Sequence, residues 1–68
     1  MSDAIKHPSH YTQGKIECIS VIVDQKMNYL EGNIIKYLWR YKNKNGVEDL
    51  EKAQQYLEWL IEDYSKKT

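Results

Sequence analysis

The sequence predicts an all-α protein: an extended N-terminal arm followed by three helices, packed as a homo-oligomer. Apolar residues recur at helical spacing in three segments after residue 15. The only proline and an early glycine, Pro8 and Gly14, fall before them. The 68-residue chain is also too short to bury a large core unaided.

The arm covers residues 1–15. His7-Pro8 favours extended backbone at His7, and Ser9 and Gly14 discourage a helix. From Ile16 to about Lys26, the spacing of Ile16, Ile19, Ile22 and Val23 predicts a helix, although the β-branched run Val21-Ile22-Val23 would also suit a strand. A second helix, from about Tyr29 to Tyr41, has Leu30, Ile34, Leu38 and Tyr41 as its expected core stripe. Asn43-Lys44-Asn45-Gly46 should stop it, because Asn and Gly tolerate left-handed backbone. A third helix, Val47 to about Tyr64, places Leu50, Ala53, Leu57, Leu60, Ile61 and Tyr64 on an arc expected to face inward. Glu48, Glu51, Gln55, Glu58 and Glu62 lie opposite, facing water. The three-helix domain is thus residues 16–64, and 65–68 form a frayed tail.

Oligomerisation follows from the second helix. Ile35 and Trp39 lie well away from its Leu30, Ile34, Leu38 stripe, and Trp59 falls outside the apolar arc of the third helix. One small core cannot cover both sides, so Ile35, Trp39 and Trp59 are expected at a subunit contact.

Cys18 is the only cysteine, which excludes an intrachain disulfide and suits a reducing cytoplasm. No apolar run approaches a membrane span, and Met-Ser-Asp-Ala-Ile-Lys is no signal peptide, so a soluble cytoplasmic protein is expected. Ten basic and ten acidic residues cancel, which argues against general nucleic-acid binding. Locally the charges separate: Lys36, Arg40, Lys42 and Lys44 occur with no acid among them, whereas Glu48 to Asp63 holds six acids against Lys52. Such a basic patch can meet a phosphate, a second copy or the chain's own acidic half.

The candidate site lies on the second helix. Asn33, Lys36, Tyr37 and Arg40, at i, i+3, i+4 and i+7, share one side, where an amide, a phenol and two cations can converge on an anion. On the third helix, Asp49, Lys52 and Tyr56 share a side. There Asp49 and Lys52 are either simply an intrahelical pair or, on the sharper reading, a metal or ribose ligand and a second phosphate contact respectively. His10 and Tyr11 in the arm are candidates to hydrogen-bond or stack on a base or phosphate. Magnesium, if nucleotide chemistry occurs, would fall to Asp49 or Glu17. There is no Walker-type phosphate loop, no Ser-His-Asp set, no Cys-x-x-Cys and no dinucleotide fingerprint. Glu48 and Glu51 supply half of an all-helical pyrophosphohydrolase motif, but Ile61 three residues after Glu58 breaks the other half.

Four ordered blocks, His7-Pro8-Ser9-His10-Tyr11, Gly14 to Ile19, Gly32 to Arg40, and Glu48 to Ala53 with Tyr56-Leu57, resemble the SaV-like family of small bacteriophage proteins. The resemblance runs from His7 to about Ile61. It implies a phage or prophage origin, a bacterial host cytoplasm and a nucleotide ligand. It also brings the label of nucleotide kinase, carried over from a longer coliphage enzyme that phosphorylates deoxynucleoside monophosphates without a Walker motif. The family pattern falls on His10, Tyr11, Gly14, Glu17, Gly32, Asn33, Lys36, Tyr37, Arg40, Asp49, Lys52 and Tyr56. Tyr41 stands where a smaller residue is expected. The functional expectation is therefore a nucleotide- or phosphate-binding helical protein, with monophosphate kinase activity as its enzymatic form. The alternative is an oligomeric interaction module that binds or titrates a host protein without catalysis.

Overall fold

The computed structural model describes residues 14–67. Three helices occur among them, α1 (Cys18–Asp24), α2 (Tyr29–Arg40) and α3 (Val47–Lys67), with a single 3-10 turn over Tyr41–Asn43, and no strand. The helical reading of Val21-Ile22-Val23 therefore holds. The arm's first thirteen residues, including His10 and Tyr11, lie outside the described residues.

Each helix boundary has a local cause. α1 begins after Glu17, whose backbone is extended (φ −83°, ψ 142°). It ends where Lys26 adopts left-handed backbone (φ 53°). Met27 N then donates to the Ile22 carbonyl at 3.0 Å and Lys26 N to Val23 at 3.1 Å, the paired bonds that close many helices at a left-handed residue. α2 opens on a capping box. Glu31 N donates to Asn28 Oδ1 at 2.9 Å, and Asn28 N donates back to Glu31 Oε1 at 2.8 Å. Gly46, at φ 57°, makes the α2–α3 turn and donates to the Tyr41 carbonyl at 2.8 Å.

α3 continues to Lys67, past the expected end at Tyr64. Ion pairs one turn apart extend it, Lys66 to Glu62 (3.4 Å) and Lys67 to Asp63 (3.1 Å), and its terminal charges complement the helix dipole.

α2 and α3 form an antiparallel hairpin, and α1 lies against α2. α1 and α2 meet at Gly32, where an added Cβ would stand 3.4 Å from Ile22 Cγ2, at van der Waals contact. The face that α3 turns inward is not the one its apolar arc predicts. Asp49 and Ala53 are buried, Tyr56 and Leu60 are half-buried, and Leu50, Leu57, Ile61 and Tyr64 are exposed. At about 100° per residue this is a rotation of roughly 60° from the expected arc. Leu38 on α2 is exposed as well; on α1 the inward residue is Cys18 while Ile19 and Val23 face out, and Ile16, which was expected to open this helix, precedes it and is exposed. Among the described residues only Cys18 and Ala53 are buried apolar side chains. The cause of the rotation is polar and lies at the closed end of the hairpin.

Lys26 pays a steric cost for its left-handed backbone that glycine would not. Lys26→Gly should raise the stability of the chain by about 0.5–1 kcal/mol in chemical denaturation.

Candidate functional site

The site grows from one ion pair. Asp49, in the first turn of α3, is fully buried (0% exposed), and Arg40, the last residue of α2, is 13% exposed. The guanidinium grips the carboxylate with two donors, Nε to Oδ2 at 3.3 Å and Nη2 to Oδ1 at 3.2 Å. Asn45 adds its backbone N to Oδ2 (3.2 Å) and its Nδ2 to Oδ1 (3.4 Å). Burial by itself would push the Asp49 carboxyl up. The Arg40 and Asn45 hydrogen bonds, with the Arg40 charge, outweigh it and hold the carboxyl below its ordinary value.

From this pair a strip of cations and rings runs along the hairpin. The Tyr37 ring has Arg40 Cζ 4.8 Å, Lys36 Nζ 5.1 Å and Lys52 Nζ 5.7 Å from its centroid. Tyr37 stacks on Tyr56 at 5.8 Å with an interplanar angle of 24°. Tyr56 also meets Tyr29 edge-on at 6.0 Å and Trp59 edge-on at 5.3 Å. Hydrogen bonding to the Tyr29 side chain, then burial, then the neighbouring Tyr29 and Tyr37 phenols raise the Tyr56 phenol above its ordinary value. Lys52 also pairs with Glu48 at 3.2 Å. Lys36 lies close enough to Cys18 to offset part of the rise that burial imposes on that thiol.

Of the residues singled out from the sequence, Lys36, Tyr37, Arg40, Lys52 and Tyr56 come together. Asn33 donates its amide to the Tyr29 carbonyl one turn back at 2.8 Å, an internal contact of α2. His10 and Tyr11 lie outside the described residues. Ile35 and Trp39 are half-buried, while Trp59 is exposed beside Tyr56. Tyr29 is the site residue that sequence reasoning missed. The signal for it was present, since it precedes Asn33 by four and Lys36 by seven residues on the same helical side.

Magnesium does not fit the Asp49 carboxylate as it stands. Both Asp49 oxygens accept from Arg40 and Asn45, and no group of three His, Cys, Asp or Glu among the described residues could hold a metal ion. What the strip offers instead is positive charge beside stacked rings. No helix of the described residues is long and apolar enough to cross a membrane.

Residues 5–58 match the model of DUF3310, a protein family of unknown function, and the chain belongs to that family. No curated protein and no solved structure matches it.

Because the Asp49 carboxyl titrates lower in the folded chain than in the unfolded one, its contribution is complete above the ordinary carboxyl value of about 3.9 and is lost as pH falls through the folded value. Asp49→Asn should lower Tm at pH 7 by on the order of 10 °C. Its stability should also fall less steeply than wild type as the medium is acidified below about pH 4, as read by thermal melts across pH.

Proposed function

We propose that this DUF3310 protein binds a phosphate-bearing ligand, a nucleotide above all, at the Lys36, Tyr37, Arg40 and Lys52 cluster, and that it works as an assembly of copies. The observation that carries the reading is the crowding of three cations around one tyrosine ring. Asp49 answers Arg40 and Glu48 answers Lys52, so three positive charges face two paired carboxylates, and one positive charge is left over. Among the described residues no carboxylate pairs with Lys36. A phosphate supplies the missing negative charge and several strong acceptors for the lysine ammonium groups. Arg40, held from behind by Asp49, is the rigid member of the set, and the two lysines are the adaptable ones.

Assembly is part of the proposal because the described chain buries so little apolar surface. Leu38, Leu50, Leu57, Ile61 and Tyr64 are exposed on the hairpin, and Glu31, Leu57, Leu60, Ile61, Tyr64 and Ser65 line a shallow apolar groove of about 300 Å³. A second copy laid on this face would give the hairpin the core it lacks. The same face supports the second reading, a module that docks on a host protein without catalysis. The two readings differ in what the cations do.

Phosphoryl transfer is an extension of the first reading, since transfer depends chiefly on positioning and charge stabilisation. It is decided by incubating the protein with a deoxynucleoside monophosphate, ATP and magnesium, where a diphosphate product marks a kinase. A raised melting temperature without product marks a binding protein.

Deoxynucleoside monophosphates should raise Tm. Lys36→Ala with Lys52→Ala should weaken their binding at least about ten-fold while leaving the fold intact by circular dichroism. If the double variant binds nucleotide as tightly as wild type, the cation cluster is not the site. Leu57→Glu with Ile61→Glu should reduce the light-scattering mass to that of one chain. A wild-type protein that is already monomeric would instead leave the face to a different partner.

A further inference from the structure

We infer that Trp59 is the base-stacking residue of the phosphate site, so that the site discriminates nucleotides from sugar phosphates. The inference rests on the phosphate-binding reading above and adds to it a recognition element for the base. Lys52, Tyr56 and Trp59 lie at i, i+4 and i+7 on one side of α3, facing the strip that Tyr29, Lys36, Tyr37 and Arg40 make on α2. The strip is polarised. Its cations gather around Tyr37 near the closed end of the hairpin, and its open end carries rings with no cation among the contacts that define it.

The open end presents ring surface to solvent. Trp59 is 49% exposed and Tyr29 is 73% exposed, yet both touch the half-buried Tyr56. Trp59 stands at 85° to Tyr56, so it does not continue the Tyr37–Tyr56 stack but projects from its edge. An indole held edge-on is fixed in orientation while its broad surface remains available to a flat ligand. Trp59 is better suited to the task than Tyr29, because its indole offers the larger ring surface.

The separation fits a mononucleotide. From Lys52 to Trp59 the helix rises about 10 Å, at 1.5 Å per residue. That is close to the reach of a nucleoside monophosphate from its phosphorus to the far side of its base. A ligand with its phosphate among Lys36, Arg40 and Lys52 would lie along Tyr37 and Tyr56 and bring its base to the indole. An inorganic phosphate or a sugar phosphate would use only the first half of this path. Stacking would add affinity without hydrogen-bond readout, so purine and pyrimidine nucleotides would both bind, the purines more tightly because they offer the larger ring.

The test compares deoxyadenosine monophosphate with deoxyribose 5-phosphate at matched ionic strength, by isothermal titration on the full chain. Wild type should bind the nucleotide roughly ten-fold more tightly than the sugar phosphate. Trp59→Ala should remove that advantage and leave sugar-phosphate affinity unchanged, while Trp59→Phe, which keeps a ring, should restore part of it. Equal affinity for the two ligands in wild type overturns the base platform but spares the phosphate site. Retention of the full advantage in Trp59→Ala does the same, and a fall in light-scattering mass in that variant would then place the indole at a subunit contact. If neither ligand binds wild type, the phosphate site fails and the platform with it.

Discussion

The Arg40–Asp49 pair is the constraint on which the hairpin depends. A carboxylate that is fully buried near a helix start is costly unless every lone pair is answered, and here Arg40 and Asn45 together supply four donors. Satisfying Asp49 fixes the rotation of α3 about its own axis. Once Asp49 points at Arg40, Ala53 and Tyr56 must follow it inward by helical periodicity, and Leu57 and Ile61 are carried outward. Hydrophobic burial alone would have favoured another rotation. The polar contact prevails because leaving such a charge buried and unpaired is worse than leaving several leucines half in water.

That competition marks what was legible in the sequence and what was not. The three helices and the Asn43 to Gly46 stop could be read directly, because spacing and turn chemistry are local properties. The capping box was equally local, an Asn followed three residues later by Glu at the start of α2, and was available to a closer reading. The left-handed Lys26 was not legible, since nothing in its chemistry marks it out and the conformation is imposed by the closing hydrogen bonds of α1. The inward face of α3 was not legible either. Apolar periodicity identifies an arc that wants burial, but it cannot weigh that arc against a charge pair formed between residues nine positions apart.

The convergence of Lys36, Tyr37, Arg40, Lys52 and Tyr56 was largely legible, and the reason is instructive. On α2 it needed only helical phase, and on α3 only the same phase read from Asp49 rather than from the leucines. Sequence alone could not tell which cation would be taken up by a carboxylate. Arg40 was expected to meet an anion, and in the fold the first anion it meets is Asp49, so its planar fork serves as a strut beside the lysines. Lys52 pairs in turn with Glu48, so among the described residues the unanswered charge of the strip is that of Lys36. The two lysine side chains are also freer to reorient than the Arg40 fork.

A molecule that joins its helices through a polar clasp and a line of rings, with so few enclosed aliphatic groups, has its cohesion concentrated rather than spread. Backbone amides near the clasp would exchange with deuterium only when the whole hairpin parts, whereas α1, held to α2 around Gly32 and Ile22, would open on its own at lower free energy. Each such opening would bare the Cys18 thiol without disturbing the tyrosine stack. The first helix would then act as a separate layer of the protein, opening and closing over its own thiol.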